Sequence, residues 1–162
     1  WSNAEHLRVW YEYFLGIKPN LINNEISINP NIPEIIKEVN YSLRIGSGLL
    51  ECNYDNKNKY FKYKLLNISA KIKFSLDEYN EVEIELLPGF YFEVRKYKTK
   101  LNFKIFNYKN ELIKSFDLLP DMEKLKIIKW RNLFFKNINF CKPYLKKGLK
   151  CLSVFHKKAI EY

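Results

Sequence analysis

Two periodicities divide the chain. Over residues 3–15, Ala4, Leu7, Tyr11 and Phe14 recur at helical spacing with Trp10 on the same stripe, and Glu5, Arg8 and Glu12 fall on the opposite face. Glu5–Arg8 and Arg8–Glu12 stand three and four residues apart, where side chains on a helix meet. Ser2 and Glu5 have the spacing of a capping box, Gly16 falls where a left-handed C-cap would sit, and Pro19 forbids continuation. The spacing therefore predicts a helix over 3–15. Its aromatic stripe is wider than a single sheet edge can cover, so it calls for a partner layer of helices.

From Ile26 the period changes to two. Ile26 and Ile28 flank Ser27, Tyr41, Leu43 and Ile45 alternate with Ser42 and Arg44, and Gly46-Ser47-Gly48 turns the chain into Leu50, Cys52 and Tyr54. Phe61, Tyr63 and Leu65 alternate with lysines, as do Ala70, Ile72 and Phe74, while Val82, Ile84 and Leu86 alternate with Glu83 and Glu85. Stretches at 90–97, 101–108 and 112–116 continue the series, each a half-buried antiparallel strand with one wet face. Short strands at this regular spacing predict an antiparallel β-sandwich from about 22 to 118. After Pro120, the apolar positions Met122, Leu125, Ile128, Trp130, Phe134 and Phe135 return to a helical pattern, predicted over 121–136. The fold class expected is mainly β: an antiparallel sandwich between an N-terminal and a C-terminal helix.

Composition bounds what such a chain does. Its 162 residues suffice for one ordinary domain with a core, and 47% hydrophobic with 17% aromatic residues excludes a disordered chain. No run approaches the ~18 apolar residues of a membrane span, so no membrane partner is expected. Net charge is +10, but residues 1–118 carry 17 basic against 15 acidic residues and residues 119–162 carry 11 against 3. Only four of the basic residues are arginine, the residue on which base and phosphate readers lean, so the basic tail reads as a solvated face and nucleic acid is not the expected partner. Cys52, Cys141 and Cys151 are odd in number and widely spaced, with His6 and His156 the only imidazoles. That pattern supplies neither a disulfide scaffold nor a zinc site; reduced cysteines in a cytoplasmic protein, with no metal and no cofactor, are expected.

Candidate chemistry is sparse. Glu5 and Glu12 share a helix face, but the ion pairs with Arg8 account for them without a catalytic role. Ser47 lies in a Gly-Ser-Gly hairpin turn that lacks the G-x-S-x-G elbow of a hydrolase nucleophile, and no P-loop, dinucleotide fingerprint or HExxH occurs. No catalytic residue is assigned within the chain.

A resemblance adds to this. Trp1-Ser2-Asn3-Ala4-Glu5 and its aromatic helix resemble the W-S-x-A stretch near the end of the (α/α)6 catalytic barrel in glycogen-debranching amylo-α-1,6-glucosidases. Leu15-Gly16-Ile17-Lys18-Pro19 and the stretch from Ile26 to Pro33 look like the exit of such barrels into a C-terminal β-sandwich, an exit that maltose-phosphorylase-type enzymes share. The resemblance covers residues 1–54; from 60 to 118 it is one of architecture. It implies three parts: residues 1–18 as the last helix of an α/α-barrel domain that begins upstream, 19–118 as a β-sandwich domain, and 119–162 as a helical, basic tail. It implies a non-catalytic C-terminal part of a glycoside hydrolase that cleaves α-glucosidic bonds by inversion, with both catalytic carboxylates upstream. Trp1 and Ser2 are the candidate substrate-binding residues, against a structural role in last-helix packing. The implied partners are α-glucan and the upstream barrel, packed on Leu7, Trp10, Tyr11 and Phe14. The alternatives are the tail of a maltose-phosphorylase-type barrel enzyme and a stand-alone β-sandwich that binds carbohydrate or an acidic polymer.

Overall fold

Alternation in sequence becomes alternation in burial. In the computed structural model, which describes residues 8–145, Leu50, Cys52 and Tyr54 are buried while Leu49, Glu51 and Asn53 between them are half-exposed. Ten strands are formed among the described residues: β1 (Ile17–Asn20), β2 (Glu25–Ile28), β3 (Glu38–Ile45), β4 (Gly48–Asp55), β5 (Tyr60–Leu66), β6 (Ala70–Phe74), β7 (Val82–Leu86), β8 (Tyr91–Lys96), β9 (Leu101–Phe106) and β10 (Leu112–Leu118). A helix, α1, spans Met122–Leu145. The strands form a four-stranded sheet in the order β1-β2-β6-β7 and a six-stranded sheet in the order β10-β9-β8-β5-β4-β3. The fold is mainly β and sandwich-like, with a C-terminal helix.

Phe74 ties the layers together. From β6 of the smaller sheet its ring meets Tyr63, Phe92 and Phe103 of the larger sheet edge-on, at centroid distances of 6.0, 5.9 and 5.6 Å. Edge-to-face pairs of this kind contribute about 0.5–1.5 kcal/mol each beyond the area they bury. Leu50, Leu65, Ile72 and Leu86 are fully buried around them.

Three features depart from the sequence expectations. The sandwich was expected to begin at about residue 22, yet β1 at Ile17–Asn20 already belongs to it, Pro19 pairing with Ile26 in the β1–β2 hairpin. β1 is an edge strand, where a missing N–H costs no ladder bond. β2 and β6 run parallel, Glu25 opposite Lys71 through Ile28 opposite Phe74, within an otherwise antiparallel fold. Three strands of the other sheet intervene, and alternation of direction returns β6 pointing the same way as β2. Third, α1 continues past the expected end at 136, through Pro143 to Leu145; residues 137–141 contain no helix breaker.

Of the N-terminal helix, the described part is residues 8–14, which closes as a π-helical turn over Trp10–Phe14, Leu15 N–H donating to the Trp10 carbonyl at 2.9 Å. Gly16 stops it in the left-handed region at φ 67°, as expected of a C-cap. Nothing else fits there, because a Cβ would stand 1.8 Å from the Asn29 carbonyl oxygen. Leu15 and Ile17, on the helical side of the boundary expected at residue 18, are buried in the sandwich core. The chain divides after Asp121 into two compact units, the sandwich and the segment bearing α1. Among the described residues no helix is long and apolar enough to cross a membrane.

Candidate functional site on the six-stranded sheet

The strand register lines up outward-facing side chains across the larger sheet. Asp55 of β4 stands opposite Tyr60 of β5, Tyr60 opposite Arg95 of β8, Arg95 opposite Asn102 of β9, and Asn102 opposite Asp117 of β10. Successive members are spaced by the ~4.8 Å separation of neighbouring strands. The adjacent row carries Lys62, Glu93 and Lys104 in the same strand order, and the next carries Lys64, Tyr91 and Phe106.

These groups hold one another. The Arg95 guanidinium lies 5.6 Å from the centroid of the Tyr60 ring, and Lys62 lies 4.1 Å from that of Tyr91. Tyr91 stacks on Phe106 with centroids 4.7 Å apart and planes 10° from parallel. Asp117 accepts from Asn102 Nδ2 at 2.7 Å and from Lys100 Nζ at 2.6 Å. These two bonds, Lys100 first, hold the Asp117 carboxyl below its ordinary range. Burial pushes the Tyr60 phenol up, and its hydrogen bond to the Glu93 carboxylate and the charge of Glu93 add to the shift against the opposing Arg95. Tyr60 therefore keeps its proton and serves as a donor. A shallow depression of 50 Å³ lies among Tyr60, Glu93, Arg95, Tyr97, Asn102 and Lys104, with Tyr97 45% exposed at its rim.

Such a surface offers the rings of Tyr60 and Tyr97 for C–H groups beside a carboxylate, a guanidinium and an amide, while Tyr91 is buried between Lys62 and Phe106. It suits a flat, hydroxyl-bearing ligand lying across the strands. Its carboxylates are engaged by neighbouring cations and donors, Glu93 by Lys62, Asp55 by Asn58 and Asp117 by Lys100 and Asn102.

The residues singled out from sequence fall elsewhere. Trp1, Ser2, Glu5, His6 and Leu7 lie outside the described residues, as do Cys151 and His156. Of the proposed barrel-facing stripe, Tyr11 packs against the β-core, while Trp10 is 45% exposed and lies with its centroid 5.0 Å from that of Phe14. Glu12 pairs with Arg8 at 3.8 Å, as the helix-face reading had it. Ser47 sits exposed in the β3–β4 hairpin loop. Cys52 is a free, buried thiol, pushed up to about 12 chiefly by burial. No cluster of His, Cys, Asp or Glu among the described residues is placed to hold a metal ion.

Sequence reasoning passed over Tyr60, Arg95, Tyr97 and Asn102. The available signal was that they occupy the wet positions of strands whose other positions are core; which strands are neighbours was not available. Asn56, in the turn after β4, is a buried polar side chain. Its Nδ2 donates to the carbonyls of Glu34 and Ile36 at 3.0 and 2.9 Å, and its Oδ1 accepts from the Tyr54 hydroxyl at 2.9 Å. It fixes the loop entering β3 beside the β4–β5 turn. No protein-family model, curated protein or solved structure matches the chain.

Proposed function

We propose that the sandwich is a non-catalytic carbohydrate-binding unit, the C-terminal part of a cytoplasmic enzyme acting on α-glucans, and that it receives the glucan on the outer face of the six-stranded sheet. The observation that carries this reading is the row Tyr60, Arg95, Asn102 and Asp117 with Tyr97 at its rim. The Trp-Ser-x-Ala and barrel-exit resemblances support the α-glucan class and an inverting amylo-α-1,6-glucosidase-like parent. Trp10 and Tyr13, 45% and 60% exposed beside Val9, support an upstream helical layer that covers them.

The test is calorimetric titration of the chain with maltoheptaose and with glycogen. Expected is binding with a dissociation constant on the order of 0.1–1 mM, about −4 to −5.5 kcal/mol. Tyr60→Ala should weaken it by about tenfold or more and leave the thermal unfolding of the fold close to that of the parent chain. The chain should hydrolyse neither maltooligosaccharide nor isomaltose. Absence of binding by a folded chain, or equal binding by Tyr60→Ala, refutes the assignment of this face.

A further inference from the structure

The smaller sheet ends in an open edge. Among the described residues β7 is its last strand and pairs with β6 alone, in an unbroken register from Val82 opposite Phe74 to Leu86 opposite Ala70. No bulge, proline or glycine interrupts it; its protection against indiscriminate pairing is its short length of five residues and the charges of Glu83 and Glu85. The edge of the facing sheet is treated differently. In β10 the register slips between Leu112 and Lys114, which leaves Ile113 outside the ladder and 54% exposed.

Between these two edges the sandwich stays open. A groove of 420 Å³ runs there, lined by Ile84, Leu87, Phe90, Ile105, Ile113 and Phe116, with Glu83 and Glu85 along its β7 side and Lys114 along its β10 side. On the outer face of the sheet, Lys71 binds Glu83 at 3.1 Å and Lys73 binds Glu25 at 2.7 Å. Glu85 makes no salt bridge among the described residues.

We propose that β7 and this groove accept an extended peptide strand in which lysine alternates with apolar residues, added to the sheet as its fifth strand. This goes beyond carbohydrate binding and does not rest on it. Main-chain bonds to the free side of β7 supply affinity, and the alternation supplies selectivity. Lysines on the wet face meet Glu83 and Glu85, and apolar side chains on the other face enter the groove. β6 already displays the required pattern: Ala70, Ile72 and Phe74 are buried, and Lys71 and Lys73 stand opposite Glu85 and Glu83. A strand of the same chemistry on the other side of β7 would see the same carboxylates and a groove in place of the core.

The probe is a synthetic peptide with the sequence of residues 68–76, ISAKIKFSL, titrated into the full chain labelled with ¹⁵N, beside a control with both lysines replaced by glutamate. Expected are shifts of the Val82–Leu86 amides and of those near Ile113 with the lysine peptide, and binding about tenfold weaker with the control, since both cross-strand charge pairs become repulsive. Glu85→Lys should narrow or invert that preference. Four results would overturn the proposal: no shifts at millimolar peptide; equal binding of the two peptides; shifts confined to β2 and β6, the mark of the probe displacing the strand it copies; or concentration-dependent broadening of β7 amides without peptide, which would make a second copy of the chain the occupant.

Discussion

Along β6 and β7 the outer face sets Lys71 and Lys73 against Glu83 and Glu85, whereas along β5 and β8 the charges are interrupted by Tyr60, and by Tyr91 buried under Lys62. Both faces stand on strands whose other side is core, so neither composition is forced by folding. An alternating-charge face is what an antiparallel sheet needs to stay soluble and in register. An aromatic ring on a wet face does not improve solvation, and holding it there with a cation or a carboxylate orders side chains at a cost in entropy. The contrast separates a face that keeps the sheet in water from one that presents rings and polar groups to a ligand.

The largest expected effect breaks both faces at once. Phe74 is the contact between the layers, fully buried and surrounded by rings of the opposite sheet. Phe74→Ala should cost about 3–5 kcal/mol, the range for aromatic truncation in a core, measured by denaturant unfolding. Phe74→Leu should recover part of that loss. If the smaller sheet unfolded alone while the Tyr60 face still bound maltoheptaose, the shared-core account would be wrong.

A second effect reaches the inner side of the larger sheet through pH. Tyr41, Cys52 and Tyr63 stand opposite one another across β3, β4 and β5. All three are raised in the fold, burial being the first cause for each. Folding therefore keeps their protons while the unfolded chain releases them, near pH ~8.5 for the thiol and ~10 for the phenols. Their neutral burial is harmless below those values, and stability is lost as pH rises above them. The expected slope is about 1.4 kcal/mol per pH unit for each group that stays neutral in the fold. Unfolding free energy measured from pH 7 to 11 should fall above pH ~9, and Tyr63→Phe should make that fall shallower. An unchanged slope in Tyr63→Phe would remove Tyr63 from the account.

What sequence made legible follows the range of each interaction. Period-two burial depends on residues two apart, so Leu50-Cys52-Tyr54 and Phe61-Tyr63-Leu65 were readable as core, and a glycine at the end of an aromatic helix was readable as a cap. β1 was missed because a four-residue strand with a single buried position shows no alternation to read. The parallel β2–β6 pair was not foreseen, since local alternation carries no information about a partner 46 residues on. The candidate face needs four strand pairings to bring Asp55, Tyr60, Arg95, Asn102 and Asp117 into one row, and the one that joins its two halves, Tyr60 with Arg95, spans 35 residues. Each residue alone looks like ordinary strand surface, and only the register makes it a cluster.

The smallest expected effect tests the quieter face. Lys73 meets Glu25 across the parallel β2–β6 pair at 2.7 Å, with both side chains partly exposed. Water competes for such a pair and two long side chains must be ordered to make it, so a double-mutant cycle with Lys73→Met and Glu25→Gln should give a coupling of about 0.2–1 kcal/mol. Repeating the cycle in ~1 M salt, where the screening length falls to ~3 Å, should shrink it further. The same cycle on Lys100→Met and Asp117→Asn offers the control from the other sheet, because that 2.6 Å pair also positions Asn102 through a shared carboxylate. Its removal should lower maltoheptaose affinity, whereas removal of Lys73–Glu25 should not. A coupling above about 2 kcal/mol for Lys73–Glu25, well beyond the usual exposed pair, or a loss of glucan binding on breaking it, would mean that the charged face does more than keep the sheet in water, and the contrast between the two faces would fail.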